Sequence, residues 1–264
     1  MLTVEMTPRL LGFKVSGTHK DLDELYDAIW DLTVPDIHFD DDPRPAGTAD
    51  EIIMSTRVLA LCYDLRKAYE GARNIELTGS GMHECLKEAW PEVYQEHNVT
   101  FSVEVLYPEA MYEALALVYL SDRRERYLSD NASPHERDKV RETFLLDKSN
   151  LIVRNYLARL LAAVEKRATP ARYEKIIRDV CAPRHNVPEL YQQWVDVQNV
   201  EYALATPKRR AQRLGTVVHN LAAFDKDRTY RELREDVDAY AREHGISRDS
   251  VQVARDDEEL DYEW

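Results

Sequence analysis

Glycine is scarce in this 264-residue chain, with 8 residues where average usage of ~7% would give more than twice as many. Six of them, Gly12, Gly17, Gly47, Gly71, Gly79 and Gly81, precede residue 82. The second half therefore has few of the positive-φ positions that tight hairpins need, and is expected to be mostly helical. Cysteine is sparse too. Cys62, Cys85 and Cys181 are odd in number and widely spaced, which fits neither a disulfide framework nor a zinc knuckle. All three fall in apolar-periodic stretches, which predicts buried free thiols and a reducing, cytoplasmic compartment. Long hydrophobic runs are missing. The most apolar window, MYEALALVYL (111–120), carries Glu113 and is too short to span a bilayer. The opening MLTVEMTPRL has no basic n-region or apolar h-region, so a signal peptide is not expected.

Apolar residues make up 44% of the chain, enough for a substantial core. The net charge of −14 is unevenly spread. Residues 1–128 hold 12 basic and 24 acidic side chains, residues 129–225 hold 16 and 12, and residues 226–264 hold 7 and 13. An acidic front, a mildly basic middle and an acidic end disfavour general nucleic-acid binding, because phosphate is repelled unless basic residues gather on one face.

Period-two patterning predicts strands over residues 2–6 and 11–16, and most clearly over NVTFSVEVLY (98–107), with a short strand at Ile75 and Leu77. Thr18 with Asp21 and Thr48 with Glu51 mark helix starts, the second opening a helix over 49–70 that is apolar on more than one face. A further helix is expected near 82–90. From Pro108 onward only helices are read. Ser133-Pro134, Thr169-Pro170 and Thr206-Pro207 each place a hydroxyl before a proline, 36 and 37 residues apart, and Thr229 with Glu232 opens a last helix ending at Gly245. That spacing fits stacked helical hairpins or an irregular bundle, and the absence of a repeat signature favours the bundle. The expected fold class is α+β: a small, mostly antiparallel sheet with covering helices over 1–107, an all-helical domain over 108–245 and an acidic tail over 246–264.

Three stretches carry candidate chemistry. In PDIHFDDDP (35–43), His38, Asp40, Asp41 and Asp42 are candidate metal ligands, but consecutive aspartates in an extended loop point in different directions and read first as a solvated acidic loop. Gly79, Ser80 and Gly81 lie between a predicted strand and helix, where backbone amides bind anions; Glu84 at the third glycine position opposes a pyrophosphate. Arg209, Arg210 and Arg213 crowd a predicted helix N-terminus, the unfavourable end of the helix dipole for cations. The acidic tail is a candidate partner for them, with Leu260, Tyr262 and Trp264 as apolar anchors. No catalytic motif is found, and no cofactor is implied.

The opening, with Leu2-Thr-Val, Thr7-Pro8, Gly12, Val15, Ser16-Gly17 and Asp21-Leu-Asp-Glu-Leu-Tyr-Asp-Ala-Ile29, resembles an uncharacterised bacterial family whose members begin with a β-hairpin and a D-L-D-E-L-type helix. The resemblance implies a bacterial cytoplasmic protein and assigns no site. The functional expectation is a protein–protein interaction or scaffold module acting on a protein partner or as a homo-oligomer, without membrane association. Its rival is a metal-dependent hydrolase or nucleotide-binding enzyme using the N-terminal domain.

Overall fold

The computed structural model describes residues 1–34, 47–80, 85, 88, 97–182, 188–253 and 264. Four antiparallel strands, β1 (Thr3–Met6), β2 (Gly12–Gly17), β3 (Asn74–Gly79) and β4 (His97–Leu106), lie in the order β1-β2-β4-β3. Val15 pairs with Val103 and Phe13 with Val105, so the alternating apolar residues of β2 and β4 share one face. Helices α1 (His19–Leu32), α2 (Ala49–Lys67) and α3 (Tyr107–Asp130) pack on the sheet, and Phe13 and Val15 are fully buried beneath them. The remaining described helices are α4 (Arg137–Leu145), α5 (Lys148–Glu165), α6 (Pro170–Val180), α7 (Glu189–Ala203), α8 (Pro207–Ala222) and α9 (Arg228–His244). The fold is α+β, as the patterning predicts.

The local start signals act as their chemistry requires. Thr18 accepts from the Asp21 amide, and the Asp21 carboxylate accepts from the Thr18 amide at 2.9 Å. Thr48 and Glu51 repeat the box on α2, with the Thr48 amide donating to Glu51 at 2.8 Å. Glu51 also accepts from Tyr119 at 3.0 Å and pairs with Arg123 at 2.9 Å, so this cap ties α2 to α3. Burial pushes its carboxyl up, but the Thr48 amide and the Arg123 charge outweigh that and hold it below its ordinary value. Thr48→Ala is expected to cost about 1 kcal/mol in urea unfolding. Three starts differ from the sequence reading. Thr169 stands at the N-cap of α6, but among the described residues its side chain makes no capping hydrogen bond. Asp227, not Thr229, caps α9, because its Oδ1 accepts from the Tyr230 amide at 3.1 Å while Thr229 donates its hydroxyl to the same carboxylate. Ser133 closes a turn with Glu136, and α4 begins only after it. Gly245 ends α9 in the left-handed region as expected, at φ 60°.

α3 is the hub. From Tyr107 to Leu117 every residue except Glu109 is buried, and the helix touches α1, α2, α4, α5, α6, α7 and α8 as well as β2 and β4. The helices thus gather round one member, whereas in a solenoid each would meet only its neighbours. A stack of rings crosses from sheet to helices: Phe13 lies 5.6 Å from Tyr107, which lies 5.3 Å from Tyr202 on α7. One contiguous cluster of buried side chains runs from Leu2 to Val251.

The turn between β1 and β2 is clamped from the far end of the chain. Thr7 Oγ1 accepts from the amides of Leu11 and Gly12. Leu10 sits in the left-handed region at φ 57°, where a branched side chain is strained. Its carbonyl accepts from the Tyr202 hydroxyl at 2.9 Å, and the Arg9 carbonyl accepts from Arg210 at 3.1 Å.

Candidate functional site

Two places stand out: a polar cluster enclosed between helices, and an open hairpin at the sheet's far edge. The cluster centres on Arg57 of α2. Its guanidinium spans three helices, meeting Glu109 of α3 with two nitrogens, Asp196 of α7 at 2.8 Å and the Gln192 carbonyl at 2.9 Å. Glu109 also accepts from Asn199 at 2.7 Å. The Arg57 guanidinium lies 5.4 Å from the centre of the Tyr112 ring, and the Tyr112 hydroxyl accepts from Gln192 at 2.7 Å. Burial works against the Arg57 charge, but the two carboxylates outweigh it and raise the guanidinium above its ordinary value. All three nitrogens of this fork donate, which is the arrangement of a structural clasp.

One turn further along α3, Glu113 is 2% exposed, and among the described residues its Oε2 has no hydrogen-bond partner. Burial, reinforced by the nearby Glu109 charge, pushes its carboxyl well above the ordinary range, which favours the protonated, neutral acid. Beside it, burial pushes the Cys62 thiol up to about 12, with Glu113 and Asp27 adding to the effect. A thiol held protonated in this way is no nucleophile at neutral pH. Cys62 is buried as expected; Cys85 and Cys181 are exposed, which corrects the expectation of three buried thiols. Among the described residues no group of three or more His, Cys, Asp or Glu side chains is placed to hold a metal ion.

The hairpin of β3 and β4 is different in character. Ile75 pairs with Phe101 and Leu77 with Val99, which puts all four on the face that carries Val103 and Val105 in the core. Among the described residues the helical layer stops short of them. Phe101 packs partly against the core, while Ile75, Val99 and Leu77 are 50%, 42% and 66% exposed. The opposite face carries Lys14, which pairs with Glu76, and Asn74, which donates to Glu104 at 3.0 Å. Among the described residues β3 has only β4 beside it in the sheet, and all six of its residues are exposed. The other edge strand, β1, is shorter and has α5 against it, with Val4 and Met6 buried.

Of the residues singled out from the sequence, His38, Asp40, Asp41, Asp42, Gly81, Leu260 and Tyr262 lie outside the described residues, as does most of the helix expected near 82–90. Gly79 ends β3 opposite His97, with open space where a Cβ would stand, and Ser80 follows it half-buried. The three arginines part company. Arg209 is exposed, and Arg213 pairs with Glu201 at 3.4 Å. Arg210 is buried, donating to the carbonyls of Tyr202 at 3.1 Å and Ala203 at 2.6 Å at the C-terminal end of α7, besides that of Arg9. Trp264 is half-buried.

Among the described residues no helix is long and apolar enough to cross a membrane. No curated protein and no solved structure matches the chain. A family model described as "Domain of unknown function (DUF6904)" matches residues 2–264, nearly the whole length, in keeping with the uncharacterised family that the opening residues resemble. The chain belongs to that family.

Proposed function

We propose that this chain is a protein–protein interaction module whose contact surface is the β3–β4 hairpin, binding a strand supplied by another chain. One observation carries the reading: an edge strand whose apolar side chains continue the core face into solvent. Monomeric proteins blunt such edges with lysine, proline, a bulge or a covering helix. β3, NIELTG, contains neither lysine nor proline, and its one charge, Glu76, is neutralised by Lys14. A strand added there would satisfy the open backbone groups while its alternate side chains covered Ile75 and Leu77, the usual mode of β-augmentation. A cytoplasmic setting goes with this reading, since the unbridged thiols of Cys62 and Cys181 suit a reducing compartment.

A benzophenone amino acid in place of Leu77 tests the proposal in cells. Illumination is expected to yield protein adducts at that position and none from the same probe at Glu142 on α4, an exposed position away from the sheet. Equal yields at both positions, or none at either, would count against the hairpin as a contact surface.

A further inference from the structure

Resting on that reading, we infer that the strand added to β3 is β3 of a second copy of this chain, so that two four-stranded sheets join edge to edge about a twofold axis through Leu77. The register follows from the side chains. A twofold axis perpendicular to the sheet keeps each face on its own side, so residues of like parity must lie opposite one another. With Leu77 opposite Leu77 of the second copy, Ile75 meets Gly79, Glu76 meets Thr78 and Asn74 meets Ser80, which uses the whole strand. Moving the axis to Glu76 sets two carboxylates against each other, which is destabilising in a cross-strand pair. Moving it to Ile75 or Thr78 shortens the overlap. Gly79 adds a steric argument: among the described residues nothing lies within 4 Å of the place its Cβ would occupy, which leaves room for the Ile75 side chain of the second copy. Across the joined sheet, Val99, Leu77, Leu77 and Val99 then form one row of apolar side chains, each strand ~4.8 Å from the next.

A contact made by two six-residue strands is expected to fall below the ~1,600 Å² of a standard complex, so the dimer should dissociate on dilution. Light scattering after size exclusion should show a mass that rises towards the dimer with concentration, and Leu77→Lys should hold it at the monomer. The register is read separately by cross-linking in a Cys85→Ser, Cys181→Ser background. Directly opposed residues have Cα atoms ~4.5–5.5 Å apart, within disulfide range. Leu77→Cys is therefore expected to oxidise to a covalent dimer in most molecules, while Thr78→Cys, two residues out of step with itself, stays at background. A mass fixed at the monomer, a dimer that survives Leu77→Lys, or bridging at Thr78→Cys in place of Leu77→Cys would each overturn the proposal. Adducts from the Leu77 probe that contain only other proteins would overturn the self-pairing and leave the interaction reading standing.

Discussion

Replacing Arg57 with methionine is expected to lower the unfolding free energy by about 3–5 kcal/mol, the usual cost of removing one partner from a buried ion pair. The methionine keeps most of the apolar stem, so little packing is lost. What remains is two carboxylates, Glu109 and Asp196, each less than a fifth exposed, facing a space that has lost its cation. Asn199 still donates to Glu109, but a neutral donor does not replace the buried cation. A fall in Tm on the order of 10 °C should follow. The triple variant Arg57→Met, Glu109→Gln, Asp196→Asn should recover much of the loss, because it removes the stranded charges along with their partner. A single variant as stable as the wild type would show that the clasp joining α2, α3 and α7 contributes nothing.

Glu113→Gln is expected to act in the opposite direction, and only above a certain pH. In the folded chain the carboxyl is held neutral by burial, whereas in the unfolded chain it ionises around its ordinary value of 4.5. Below that value both states carry the proton and the acid contributes no pH dependence. Above it the unfolded state releases a proton that the folded state keeps, so stability falls as pH rises, by up to ~1.4 kcal/mol for each pH unit until the folded group ionises as well. Glutamine has nearly the same shape and no proton to lose. Urea midpoints of the two proteins should therefore coincide near pH 4 and separate towards pH 8, with the variant more stable by about 1 kcal/mol or more. A variant that is less stable at pH 8 would mean that Glu113 is ionised and favourably held in the folded state.

What could be read from the sequence was what neighbouring residues decide among themselves. The Thr18–Asp21 and Thr48–Glu51 boxes need only four consecutive positions, and the alternation of NVTFSVEVLY needs only one strand. Thr229 is not the cap because Asp227, two residues earlier, accepts from the Tyr230 amide, so the helix has already begun at Thr229, whose hydroxyl donates to the Asp227 carboxylate. The Arg57 clasp gave no such signal, since its partners are 52 and 139 positions away and any surface arginine reads the same. Glu113 did leave a trace, as the one charge inside MYEALALVYL. That charge argues against a membrane span, but only the packing of α3 as a hub shows how deeply it is enclosed. The strand at Ile75 and Leu77 was also legible. Its exposure was not, because alternation says which side chains share a face and nothing about where the covering helices end.

The clamped turn at Leu10 sets an order of events in the life of the chain. Its two outside donors, Tyr202 and Arg210, lie 192 and 201 positions from the carbonyls they bind. A ribosome adding ~5–20 residues per second needs about ten seconds or more to reach them after the turn has emerged. During that interval the left-handed backbone of Leu10 is held from within the turn alone, by the Thr7 hydroxyl and by the backbone bonds from Leu10 to Thr7 and from Thr7 to Gly12. The first turn to be synthesised is therefore among the last to be locked, and the chain's opening strand pair reaches its final rigidity only when α7 and α8 close over it.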